Sequence, residues 1–353
     1  MQPSAVDSIS PALQHTKAQL FRPFHFGQWT RLALVGLFAG EMSSGGGCNF
    51  QMPNTNSGAH RDLAFAAFPN SPLFGLLIAV LLVAVPLLWL LFLYLNSRMR
   101  FVLFDSIIAR RCEIGRMWRS RRGPAMQYFV WQIVFSLAAL ATLAVLVGIP
   151  ALAAFLMGWF SAPREHLVPL VLGGFLIFVV FAACVLLSLV VHVFTKDFVV
   201  PQMALENISA FDGWRRLWAM LREEKGGYAG YAGMKLVMAI GAAFAIGVVA
   251  IIVIIILLVP FGGLGAIGVI AGQAAGLTWN VFTITAAVVA GCVFLVLFLY
   301  ALSLVSVPVI VFFPAYSVYF FAPRYPPLGN LIHPAPPAIP PAAPIVPNPE
   351  PAG

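Results

Sequence analysis

Five long apolar runs leave this chain very few ways to fold. Pro72 to Leu95, Tyr128 to Phe160, Val168 to Phe194, Leu236 to Pro260 and Val281 to Phe313 are each at least 24 residues long and carry almost no charge. About 20 apolar residues in a helix reach across the roughly 30 Å hydrocarbon core of a bilayer. The helix is required because no water is present there to bond free backbone groups, so each segment must satisfy its own. The rest of the composition agrees. Of 353 residues 61% are hydrophobic and only 9% charged, with mean hydropathy +0.94, whereas soluble domains carry about 25% charged residues. The sequence predicts an all-α polytopic helical membrane bundle and excludes a soluble enzyme.

The charge distribution sets the expected topology. Phe26 to Met42 is marginal as a crossing, because it holds Gln28, Thr30, Arg31 and Glu41. Lys and Arg number three in residues 1–32, eight in 97–127, six in 195–235 and one in the tail, and the other loops hold only Arg61 and Arg164. If the first segment crosses, eighteen of the twenty basic residues fall on one side, as the positive-inside bias requires. About six spans follow, with both termini on the cytoplasmic side of a bacterial inner membrane, Arg98 and Lys235 inside, and Arg61 and Arg164 outside. The short link Ser161 to Leu167 makes its two flanking spans a hairpin. Phe261 to Gly276, rich in glycine and too short to cross, reads as a re-entrant or interfacial helix, and residues 43–71 as a polar outer loop. The helical membrane domain covers 1–323. Residues 324–353 are a Pro/Ala-rich disordered tail, since proline removes donors and offers no core.

An internal repeat of about a hundred residues is visible. Phe101-Val102-Leu103 leads through Trp118 to Gly123 and Tyr128, and Phe198-Val199-Val200 leads through Trp214 and Trp218 to Gly227 and Tyr228. A fainter copy runs from Lys17 to Trp29. Each unit reads as an amphipathic helix followed by a hairpin of two spans. With Lys17-Ala18-Gln19-Leu20-Phe21-Arg22-Pro23-Phe24, Gly27-Gln28-Trp29, Asp197-Phe198-Val199-Val200-Pro201-Gln202-Met203 and Trp214-Arg215-Arg216-Leu217-Trp218, the chain resembles a family of uncharacterised bacterial multi-span membrane proteins. That family is similar in layout to the membrane domain fused to some glycerophosphodiester phosphodiesterases. The resemblance implies a six-span membrane domain and carries over no catalytic residue.

Candidate contacts with lipid lie on two segments between spans. Arg110, Arg111, Arg116, Arg119, Arg121 and Arg122 form a basic group around Trp118. Ser209 to Glu224 is an amphipathic helix with Ser209 as N-cap and Phe211, Trp214, Leu217, Trp218 and Leu221 on one face. Arg110, Arg111, Arg119, Arg122, Trp118, Trp214 and Trp218 are the residues expected to meet anionic membrane lipids. The bland alternative is that such a cluster only fixes topology. Gly226, Gly230 and Gly233 form a small-residue stripe suited to helix packing. Glu41 is read as an acid near the outer end of the first span, and His192 as interfacial. The four cysteines lack metal spacing, Asn207-Ile208-Ser209 matches a glycosylation sequon on the cytoplasmic side, and no cofactor, metal or nucleic acid is expected. These features point to a non-enzymatic membrane-organising, lipid-contacting or partner-binding protein, the alternative being a transporter or channel, for which Pro86, Pro150 and Pro308 would break the helices. A lipid-processing enzyme would need an interfacial cluster of His, Asp, Glu or Ser.

Overall fold

The structure is a computed structural model that describes residues 4–41, 72–159, 164, 166–274, 276 and 281–332. The expected outer loop at 43–71, with Cys48 and Arg61, and the stretch beyond 332 lie outside the described residues. Eleven α-helices and no strand occur among those described. α1 (Ile9–Phe21) and α2 (Phe26–Phe38) are 13 residues each. α3 (Pro72–Ala109) leads through the short α4 (Ile114–Ser120) to α5 (Arg122–Leu156). α6 (Leu167–Phe194) passes through a π-helical turn, Thr195–Val199, into α7 (Val200–Glu206). α8 (Ala210–Glu223), α9 (Lys225–Ala274), α10 (Val281–Phe321) and α11 (Pro326–Ile332) follow. Five of these, α3, α5, α6, α9 and α10, are long and apolar enough to cross a membrane.

The helices meet at one end. Asn96 Nδ2 donates to the Phe38 carbonyl at 3.1 Å, and Gln132 Nε2 donates to Asn96 Oδ1 at 3.0 Å. Farther along α3, Gln28 Nε2 donates to the Arg110 carbonyl at 3.2 Å and Arg121 Nε to Asp105 Oδ2 at 3.1 Å. α2 and α5 therefore run antiparallel to α3. Tyr231 of α9 stacks on Tyr316 of α10 with centroids 5.1 Å apart. The buried core collects here, in an inner layer around Phe101, Ile107, Phe198, Met203, Val311 and Phe320. Beyond it the same helices expose apolar faces: Leu82 is 70%, Phe175 66% and Phe244 76% exposed. Burying one such side chain from water contributes about 1.5–3 kcal/mol, but hydrocarbon tails are as apolar as leucine and supply no such drive.

Four expectations are corrected. α2 is about 20 Å long and falls short of a hydrocarbon core. It is apolar because it lies inside the inner layer, with Leu32, Ala33 and Val35 buried and Gly36 against Ile310. A sixth crossing at Phe26 to Met42 is thus not among the described helices. Phe261 to Gly276 is not re-entrant: α9 runs 50 residues through Pro260 as one helix. Pro86, Pro150, Pro308 and Pro314 also lie within continuous helices, as happens where neighbouring groups re-satisfy the freed carbonyl. The folded region does not stop at 323. Arg324 bonds both oxygens of Glu224, at 2.8 and 2.7 Å, and Leu328 of α11 is fully buried. At the other end, the Tyr316 hydroxyl donates to the Ala5 carbonyl at 3.1 Å, so both described ends of the chain belong to the inner layer.

Candidate functional site

An ionic layer lies where the packed layer gives way to the exposed helices. Glu41, just past α2, accepts from Arg100 Nη1 at 3.1 Å through one oxygen and from Lys196 Nζ through the other. Arg100 also donates to the Ala39 carbonyl. Beside this group Asp197 Oδ2 accepts from the Tyr231 hydroxyl at 2.9 Å and from Lys235 Nζ. The π turn places Lys196 and Asp197 side by side, and all five of its residues are buried. Such wide turns within helices are frequent at functional sites. Gly40, at φ +73°, lets the chain turn sharply from α2 into Glu41.

Six charged side chains, Glu41, Arg98, Arg100, Lys196, Asp197 and Lys235, are each less than 10% exposed. Removing a charge from water costs several kcal/mol unless partners and hydrogen bonds offset it. Arg98 finds its partner in aromatic rings, its guanidinium 4.7 Å from the Trp118 centroid and 5.8 Å from that of Tyr94. A cavity of about 20 Å³ lies among Glu41, Arg100, Lys196, Asp197 and Ser317, enough for about one water. Nearby, Gln132 Oε1 and both side-chain polar atoms of Gln202 are buried without a hydrogen-bond partner. Gln132 also faces a groove of about 540 Å³ between α3, α5 and α6, shared with Ser188 and His192.

The tertiary structure divides the residues expected to touch lipid. Arg110, Arg111, Arg119 and Arg122 are exposed. Trp118 is half-buried under Arg98, and Trp214 is half-buried with its Nε1 donating to Thr195 Oγ1 at 3.0 Å, so these two rings serve the inner layer. Trp218 is exposed, with Arg222 5.5 Å from its ring centroid. α8 begins at its expected cap, Ser209 Oγ accepting from the Asp212 N–H at 3.2 Å. It buries Ala210, Gly213 and Leu217, while Phe211 points out and meets Trp131 edge-on at 4.8 Å. At Gly226, Gly230 and Gly233 an added Cβ would meet nothing within 4 Å among the described residues, so the stripe makes no close packing contact there. The close approach occurs at Gly36 instead, where a Cβ would come within 2.5 Å of Ile310.

Glu41 is not at an outer helix end but in the inner layer, with Asp197 as a second buried acid. Sequence reasoning missed Arg100, Lys196, Asp197 and Lys235 because they flank apolar runs and read as topology charges. The signal present was Lys196-Asp197, two adjacent opposite charges at the start of the motif Asp197 to Met203. Ser303 bonds the Tyr300 carbonyl at 2.7 Å. No group of three or more His, Cys, Asp or Glu residues able to hold a metal occurs among the described residues. A family model described as a family of unknown function, DUF7544, matches residues 3–331. The chain belongs to that family. The match reaches into the last described helix and takes in both the inner layer and the exposed helices. No curated protein and no solved structure matches the chain.

Proposed function

We propose that this is a non-enzymatic membrane-organising protein of a bacterial cytoplasmic membrane, with its inner layer, and so both described ends of the chain, on the cytoplasmic side, and that it contacts anionic lipid or a partner at the boundary between its two regions. The observation that carries this reading is the ionic layer, whose charges pair with one another around room for about one water. Such an arrangement fixes how helix ends meet and offers no open route. Lipid contact then falls to the exposed side chains beside the layer: Arg119, next to Trp118, and the α8 face with Phe211, Trp218 and Arg222. Each arginine near an anionic surface contributes about 1 kcal/mol. Arg110 stands ten residues beyond Arg100, about 15 Å farther from the layer, and contributes less because charge is screened over about 8 Å.

The repeat is part of this reading: Phe101 meets Tyr128 edge-on at 6.0 Å, and Phe198 meets Tyr228 edge-on at 5.3 Å, as duplicated units would. The likeness in layout to the membrane domain of glycerophosphodiester phosphodiesterases fits such a lipid-side role. The test is native mass spectrometry of the parent and of two double variants. Arg119→Gln with Arg222→Gln should release phosphatidylglycerol or cardiolipin, and Arg110→Gln with Arg111→Gln should retain most of it. Equal retention in all three sinks the lipid contact. One observation favours transport instead, the burial of Glu41, Lys196, Asp197 and Lys235 beside a groove open to lipid. An ion flux in proteoliposomes that Glu41→Gln abolishes would replace the organising role by that one.

A further inference from the structure

The inner layer carries a separate feature at its end farthest from the exposed helices. The turn between α1 and α2 folds against the end of α3 and leaves a cleft of about 710 Å³. Arg22, Arg31, Arg110 and Arg111 line it with His25, and Glu113 is the one acid on its wall. Glu113 faces another cation, its Oε2 3.7 Å from Arg116 Nη1. None of the four lining arginines forms an ion pair among the described residues.

The cleft is held in shape by tertiary contacts. Gln28 Nε2 donates to the Gln19 carbonyl at 3.3 Å and to the Arg110 carbonyl at 3.2 Å, tying α1, α2 and the end of α3 together. Arg31 Nη1 donates to the Cys112 carbonyl at 3.4 Å. Arg110 is held at φ +53°, a left-handed conformation uncommon for a residue with a side chain. Strain of this kind persists only where the surroundings impose it, and it clusters at ligand sites. Like charges lining a concave wall add their fields and concentrate counter-ions. A guanidinium fork matches two phosphate oxygens at once.

We propose that this cleft binds a phosphate-bearing anion. The inference goes beyond the lipid reading and does not depend on it. Arg110 lies about 15 Å along α3 from the ionic layer, which favours a soluble phosphate over the headgroup of a bilayer lipid. The probe is inorganic pyrophosphate, titrated calorimetrically into the full chain in nanodiscs of zwitterionic lipid at about 0.1 M salt. Saturable binding is expected, weakened by salt and reduced about tenfold or more, equivalent to about 1.4 kcal/mol, in the double variant Arg22→Gln with Arg111→Gln. Both side chains are exposed, so an unchanged thermal melt confirms that the variant is folded. The control Arg215→Gln should bind as the parent does. If nanodiscs containing phosphatidylglycerol block pyrophosphate in the parent, the site stands and its phosphate comes from a headgroup. Affinity undiminished in the double variant overturns the proposal. So does the absence of saturable pyrophosphate binding together with no difference in phosphatidylglycerol retention between parent and double variant.

Discussion

The inner and outer lengths of the same helices are built from similar side chains and behave differently. On α6, Phe175 and Leu186 stand open, while Phe198 in the π turn that follows is fully buried among Tyr228, Tyr231, Phe320 and Phe321. On α9, Phe244 is open and Tyr231 sealed. The difference is in the solvent. Against lipid an apolar face gains nothing by meeting another, so outer helix contact depends on close backbone approach or polar bonds. Against water it gains in proportion to area. The inner layer therefore resembles a soluble core with a charged lid, and the outer lengths serve as anchors.

The two regions differ most at the charged lid. Glu41→Gln leaves Arg100 and Lys196 buried beside a neutral amide and should destabilise the protein by about 3–5 kcal/mol, read as a lowered unfolding midpoint in detergent. Phe244→Ala on an exposed face should stay within about 0.5 kcal/mol of the parent. Equal losses from the two would mean the regions do not differ as described.

Glycines sharpen the contrast. Gly36→Ala drives a methyl to 2.5 Å from the β-branched side chain of Ile310, and overpacking of this kind costs about 1–3 kcal/mol. An added Cβ at Gly230 or Gly233 meets nothing within 4 Å among the described residues, so Gly230→Leu and Gly233→Leu should leave the thermal midpoint unmoved. A clear loss at either would show that the stripe is covered. Trp214→Phe keeps an aromatic ring but removes the bond to Thr195 together with part of the indole, and at least about 1 kcal/mol should be lost. No change in midpoint would show that the bond is replaced by water.

The smallest effect expected is a pH dependence confined to the inner layer. His15 is buried, its Nδ1 3.2 Å from the Tyr319 hydroxyl and its Nε2 3.1 Å from Gln19 Oε1. Burial, aided by the charge of Arg110, holds its pKa below the ordinary 6.5. Below about pH 6.5 the unfolded chain takes up a proton that the folded chain still refuses, so stability should fall as pH drops through that range. His15→Gln should flatten the dependence between pH 7 and pH 5. An unaltered slope in that variant would place the titrating group elsewhere.

The apolar runs by themselves determined the five membrane-length helices, because a crossing helix satisfies its backbone within its own segment and is legible one segment at a time. The helix after Ser209 and its cap were legible for the same reason, because capping is local, whereas Phe211 and Trp218 of its expected apolar face stand exposed. What α2 does was not, since an apolar stretch that is short and carries Arg31 and Glu41 looks alike whether lipid or protein covers it. Only the tertiary structure brought Glu41 to Arg100 and Lys196 across 59 and 155 positions of chain. Only it turned Trp118 and Trp214 inward and gathered Arg22 and Arg31 beside Arg110 and Arg111. A charge flanking an apolar run carries the same topological signal wherever its side chain ends up. Its partner is set by which helix ends meet, and that is decided by burial of the whole inner layer at once.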